Sequence, residues 1–367
     1  MKRRVYVHVG APKTGTTYLQ NRLTANLTTL AEHDVHYATK PLRTPSLFQF
    51  RASLDLLGRT DWEGPIAKSD GAWESMAKRI RRHNGTVILS HEILAGAKPK
   101  NVARLREDLE VGETTELHIV YTARDLTRQL PAAWQEGVKQ GQRWTFARFL
   151  ERFQNERIWF YRVFDFPSVL TTWGTDLPPA QLHLVTVPPE GADVPRDELW
   201  RRFAAACDID PAWAPHEGPG ANRSLGMAET QLIRRLNRRL ERSQRPGGKY
   251  DGLIRTMLAE SVLVERESER VRVPPALHPW LEEKTARWTE WAEQSGVDIV
   301  GSLDDLRVPA PDPAARWRDP DRSRPRQQLE AALDALAAMT DEAARRGDPG
   351  ATFGAKVKRA RTRLAGQ

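Results

Sequence analysis

The chain has one cysteine, Cys207, in 367 residues, so no intrachain disulfide can form. A reducing compartment suits such a chain, and a cytoplasmic location is the expectation. No apolar run approaches the roughly 20 residues a membrane-spanning helix needs, so no stable membrane insertion is expected. Lys2-Arg3-Arg4 opens like the charged region of a signal peptide, but Gly10, Pro12 and Lys13 soon interrupt the apolar residues that follow. Zinc-finger spacing, a recognition-helix pattern and internal repeats are all missing. The net charge of +8, from 56 Lys and Arg against 48 Asp and Glu, is therefore read as suiting small anionic ligands rather than nucleic acid. With 40% hydrophobic residues the chain falls in the soluble globular class, long enough for one large domain with an appendage or for two domains. Cys207 itself, following Phe203-Ala-Ala-Ala, reads as part of a buried helix face.

What the chain does have is concentrated near its start. Residues 5–17 read Val-Tyr-Val-His-Val-Gly-Ala-Pro-Lys-Thr-Gly-Thr-Thr, a short apolar strand, a loop with two glycines and the opening of a helix. Gly10 and Gly15 can adopt backbone angles closed to other residues, which lets successive amide N–H groups turn inward. The helix beginning near Thr16 adds its positive end, Lys13 a mobile charge, and Thr14, Thr16 and Thr17 hydroxyl donors. His8, inside the strand, is read as core.

Further strands are predicted at 86–90, 116–122 and 182–187, with a short segment at 297–300, and helices between and after them. This alternation predicts an α/β fold with a parallel sheet flanked by helices, and a ligand site at the carboxyl ends of the strands. The helix after the loop carries Leu19, Leu23, Leu27 and Leu30 as one buried stripe. Residues 1–306 are read as the α/β domain. Beyond them, Pro, Asp and Arg dominate a linker or loosely attached arm, followed by an alanine-rich helix with Leu329, Leu333 and Leu336 and a basic end, so that 307–367 form a helical C-terminal extension. That helix is read as solvated or as the contact of a homodimer.

Gly10 and Gly15 keep the spacing of the nucleoside-triphosphate pattern G-x-x-x-x-G-K-[ST], but Thr16 stands where its lysine belongs. Pro12-Lys13-Thr14-Gly15-Thr16-Thr17 instead resembles the 5′-phosphosulfate loop of sulfotransferases that use 3′-phosphoadenosine 5′-phosphosulfate (PAPS), in a bacterial branch of that superfamily. The resemblance implies a P-loop-type sheet and PAPS as donor, with adenosine 3′,5′-bisphosphate as product and no metal. It also implies a small-molecule, glycolipid or carbohydrate acceptor carrying a hydroxyl or amine. Tyr121-Thr-Ala-Arg124-Asp125, after the 116–122 strand, is similar to the family's 3′-phosphate motif, which implies that Arg124 binds that phosphate. The chain departs from the pattern at Ala132, where the family usually has a serine, so the second 3′-phosphate ligand is open among Thr127, Arg128 and Gln129. Asn222 and Ser224, in Asn222-Arg223-Ser224, resemble a cofactor-binding segment of bacterial relatives.

Sulfuryl transfer needs a base for the acceptor proton. Ser90-His91-Glu92 follows the 86–90 strand, and two readings stay open. His91 resembles the base of small-molecule sulfotransferases, and Glu92, the slightly favoured reading, resembles that of carbohydrate-type members. Trp134 is read as packing on the cofactor or in the core, and Trp62, Trp73, Trp144 and Trp159 lie in regions that could form an acceptor cleft. The competing functions are a P-loop phosphotransferase or kinase, disfavoured by the missing G-K-[ST] ending, and a catalytically inactive nucleotide-binding module, which Ala132 makes conceivable.

Overall fold

The computed structural model describes residues 2–39, 45–59, 69–218, 224–241, 250–310 and 316–345. Six strands, β1 (Arg3–Gly10), β2 (Val35–Tyr37), β3 (Thr86–Ser90), β4 (Thr115–Ala123), β5 (Leu182–Thr186) and β6 (Asp298–Val300), form one sheet in the order β2-β3-β1-β4-β5-β6. All neighbours pair in parallel, so each connection crosses over and helices cover both faces. The α/β class read from the sequence is the class observed.

Alternation along the strands divides the core into two layers. Val5, Val7 and Val9 of β1 join Val87, Leu89, Leu117, Ile119 and Leu184 on one face. Tyr6, Ile88, Val120 and Val185 point the other way, against Leu19, Leu23, Trp200 and Phe203. Cys207 is fully buried in this second layer, as expected, and burial raises its thiol pKa well above the usual range. Trp200 lies under the Arg22 guanidinium, 5.2 Å from its ring centre, and donates to the Pro211 carbonyl at 3.0 Å.

Several elements differ from expectation for identifiable reasons. The edge strand β2 has only three residues, too few for a periodic signal. The predicted leucine stripe is broken, because the helix Thr16–Ala25 ends at Asn26 and a second begins at Leu27. Asn26 holds the break by donating to the carbonyls of Arg22 and His216, both at 2.8 Å. The Pro- and Gly-rich stretch before residue 71 contains a helix, Pro45–Leu56. Asp251–Val262 winds as a wide π-type helix.

The C-terminal segment described, 316–345, lies against the body rather than hanging from it. Trp317 donates to the Arg272 carbonyl at 3.0 Å, Gln231 donates to Asp321 at 3.0 Å, and Arg266 bridges Glu229 and Asp334. Short polar contacts to side chains far back in the sequence are what a compositional reading of a linker cannot foresee. Among the described residues no helix is long and apolar enough to cross a membrane.

Candidate functional site

The loop between β1 and the helix Thr16–Ala25 lies at the carboxyl end of the sheet's inner strand. Gly10 and Gly15 have φ of 123° and 92°, the left-handed region that a side chain disfavours. A Cβ on Gly10 would also come within 3.2 Å of the Glu92 carbonyl oxygen, so the loop and the turn after β3 touch at this point. Lys13 shares the left-handed region with φ of 68°, an unfavourable choice for a long side chain that the surrounding contacts hold in place. Gly15 caps the helix without any side-chain bond to its first N–H groups.

The floor of the loop is a buried polar relay. Thr14 Oγ1 lies 2.6 Å from the Ala11 carbonyl and 2.5 Å from Thr122 Oγ1, and Thr122 Oγ1 lies 3.0 Å from the Gly10 carbonyl. His8 continues it, with Nε2 3.2 Å from Thr122 Oγ1 and Nδ1 2.8 Å from Ser90 Oγ. Burial lowers the His8 pKa to about 4, so the ring is neutral at physiological pH and serves the core, as expected. Thr14 therefore spends its hydroxyl inside the protein rather than offering it to a ligand. Thr16 and Pro12 are also buried, the Pro12 carbonyl accepting from Gln129 at 2.9 Å, whereas Thr17 is exposed.

Arg124 ends the strand region of β4 beside this loop. Its Nη1 donates to the Lys13 carbonyl at 3.2 Å, bringing the second cation onto the loop itself. Burial, with Arg128 beside it, lowers the guanidinium pKa to about 10, which leaves it charged. Arg124 Nε and Arg128 Nη2 are buried without hydrogen-bond partners among the described residues. Arg128 is fixed by Asp125, the cap of the helix Leu126–Lys139, and donates to the Pro188 carbonyl at 3.0 Å. Thus two adjacent guanidinium groups carry unspent donors. Ala132 is half-buried on the same helix and can offer none. The small cavity bordering Arg124, walled by Tyr121, Phe164, Phe166 and Trp288, holds about 10 Å³, room for one water and not for a nucleobase.

The candidate bases stand on the 3₁₀ turn Glu92–Gly96 after β3. His91 caps this turn by accepting from the Ile93 N–H at 3.3 Å, and its ring stacks on Phe50. Burial lowers the His91 pKa, so the ring is neutral. Burial alone would raise the Glu92 pKa, but the charge His91 takes up when protonated in acid, its own backbone N–H and Lys13 outweigh it and hold the carboxyl below its ordinary value. Glu92 is consequently ionised and within the electrostatic reach of Lys13.

Nothing in the order of residues points to the partner of Lys13. Its ammonium meets Glu136 Oε2 at 2.5 Å, and Glu136 is held in turn by Lys139 at 3.0 Å, Arg255 at 3.1 Å and Gln140 at 3.1 Å. Burial would raise the Glu136 pKa, yet Lys13, Lys139 and Arg255 together hold it far below the usual carboxylate range. Glu136 and Lys139 at i and i+3 are visible in the sequence, but nothing there places them at the loop.

Trp134 is core, donating to the Trp144 carbonyl at 3.0 Å. Trp73 is also buried, and Trp144 and Trp159 are half-buried. Ser224 is exposed and has no hydrogen bond to the loop or to Arg124 among the described residues. Asn222 and Trp62 lie outside the described residues. The residues brought together are thus the loop, Arg124 with Arg128, and Glu92 with His91. Compared with known proteins, the chain matches no family model, no curated protein and no solved structure.

Proposed function

We propose that the protein is a PAPS-dependent sulfotransferase of P-loop type, moving a sulfuryl group to a hydroxyl or amine of a small-molecule, glycolipid or carbohydrate acceptor. The observation that carries this reading is the Arg124 guanidinium, which donates to the Lys13 carbonyl while its Nε stays buried and unpartnered among the described residues. A buried N–H of this kind is costly unless a ligand or an ordered water satisfies it. The position agrees with the topology, since the crossover from β3 over β1 to β4 makes the carboxyl end of β1 a point where the strand order reverses.

In this reading Lys13 and the first N–H groups of the helix Thr16–Ala25 bind the 5′-phosphosulfate, and Arg124 with Arg128 binds the 3′-phosphate. Arg128 takes the part for which Ala132 has no hydroxyl. The bound donor supplies the sulfuryl group and a phosphate leaving group. Glu92 accepts the acceptor's proton as its oxygen or nitrogen bonds to sulfur, and Lys13 stabilises the charge left on the phosphate as the S–O bond breaks. His91, neutral and stacked on Phe50, positions the Glu92 turn.

The inactive nucleotide-binding module keeps one observation in its favour, the neutralisation of Lys13 by Glu136. Both readings are tested together. Adenosine 3′,5′-bisphosphate should raise the melting temperature, and ADP with Mg²⁺ should not. Transfer of ³⁵S from labelled PAPS into material extracted from the source cells then separates enzyme from module. Equal stabilisation by ADP and Mg²⁺ would overturn the donor assignment in favour of a phosphotransferase.

A further inference from the structure

Tyr37 ends β2 with a hydroxyl that no described residue satisfies. The residue is 4% exposed, and its Oη is buried without a hydrogen-bond partner among the described residues. Its layer of the core, with Leu19, Leu23, Leu30 and Ile88, is apolar around it and offers none. Burial, with the Glu92 charge adding to it, raises the phenol pKa, so the group keeps its proton and remains a donor. Tyr37 pairs with Ile88 of β3, which sets it one step below Ser90 on the same face of the sheet. Gln49 bridges the ends of the two strands, donating to the Ala38 carbonyl at 2.6 Å and accepting from the Ser90 N–H at 3.2 Å. Glu92 stands two residues beyond that bridge. Neighbouring polar side chains are spent, Gln49 on this bridge, Gln20 on the Ser90 carbonyl at 3.1 Å and His91 on the Ile93 N–H.

We infer, on the sulfotransferase reading, that the Tyr37 hydroxyl holds the acceptor by a hydroxyl next to the one that is sulfated, so that the acceptor is a vicinal diol such as a sugar ring. The attacking oxygen gives its proton to Glu92 and bonds to sulfur as the S–O bond to phosphate breaks. A donor on that same oxygen would draw electron density from it and slow the attack, so a phenol that stays protonated serves a neighbouring oxygen instead. Tyr37 and Glu92 belong to the ends of adjacent strands, about 4.8 Å apart in a sheet, a separation that suits hydroxyls on neighbouring carbons better than remote ones. A site built to bond a second hydroxyl rejects an acceptor that lacks it, because the buried phenol is then left unpaired. An ordered water would meet the same need, and the experiment separates the two occupants.

The test is ³⁵S transfer from labelled PAPS into extract of the source cells, before and after the extract is treated with periodate, which cleaves vicinal diols, and then with borohydride. With the wild type, periodate should remove most of the incorporation. Tyr37→Phe, which deletes only the hydroxyl, should slow transfer into limiting untreated extract at least about tenfold, the scale of one lost hydrogen bond. The rise in melting temperature produced by adenosine 3′,5′-bisphosphate should be unchanged in the variant, which separates acceptor binding from folding and donor binding. Incorporation that survives periodate, a smaller loss of rate, or a variant that also loses the nucleotide's melting shift would each overturn the inference and leave the sulfotransferase reading standing. No transfer by the wild type into untreated extract would overturn both.

Discussion

The ammonium of Lys13 and the carboxylate of Glu136 meet at 2.5 Å across 123 residues of sequence. Lys13 is 28% exposed and Glu136 only 9%, so the pair lies at the edge of the interior with its cation turned outward. Glu136 keeps Lys139 and Arg255 whatever Lys13 does. An entering phosphosulfate could therefore take Lys13 without leaving a buried carboxylate uncompensated.

If Glu136 competes with the ligand for Lys13, removing its charge should help binding and harm folding. Glu136→Gln is expected to tighten adenosine 3′,5′-bisphosphate about five- to tenfold by calorimetry, roughly one charge-assisted hydrogen bond. Stability in urea should fall by about 3 kcal/mol, because Lys139 and Arg255 lose their buried counter-ion. Weaker binding in the variant would show that Glu136 orients Lys13 rather than competing for it.

The two guanidinium groups predict selectivity for a 3′-phosphate. Arg128→Gln should weaken adenosine 3′,5′-bisphosphate about tenfold, the scale of one hydrogen bond to a charged group, and leave adenosine 5′-phosphate unchanged. Competition binding with the two nucleotides measures the ratio. An equal loss for both would remove Arg128 from the 3′ site.

Glu92 and His91 can be separated by chemistry under single-turnover conditions. Glu92→Gln should slow sulfuryl transfer about 10²- to 10⁴-fold with nucleotide affinity intact, whereas His91→Asn should cost far less. Because the Glu92 pKa is depressed, the rate of the wild type should fall on the acid side only below the ordinary carboxylate range. The reverse order of the two variants would move the base to His91.

Acid should destabilise the protein in two windows. The His8 pKa is lowered to about 4 by burial, so between the ordinary value near 6.5 and about 4 the unfolded chain binds the proton and the folded one does not. Stability should therefore fall with falling pH across that window by about 3 kcal/mol. Glu136, whose folded pKa is depressed, contributes stability above the unfolded carboxylate value that is lost as pH drops further. Urea titrations at pH 7.5 and 4 should show the first loss shrinking in His8→Gln.

Local pattern carried the sheet and the loop. The apolar strands, the glycines of the loop and Arg124 after β4 could all be read because each signal lies within a few consecutive residues. Contacts between distant segments could not. Thr14 reads as a ligand donor from its neighbours, but its hydroxyl donates to the Ala11 carbonyl and lies against Thr122 Oγ1. Glu136 reads as one more charge on a helix until the fold sets it against Lys13. The helix at Pro45–Leu56 stayed hidden because Pro and Gly dominate its surroundings.

The chain of hydroxyl and imidazole groups from Thr14 through Thr122 and His8 to Ser90 fastens the bend to β4, β1 and β3 at once. A mooring of that kind leaves the main chain little to rearrange when an anion docks, so the ordering cost of binding falls on side chains such as Lys13. Exchanging those outer groups can then retune what is held while the bend keeps its shape.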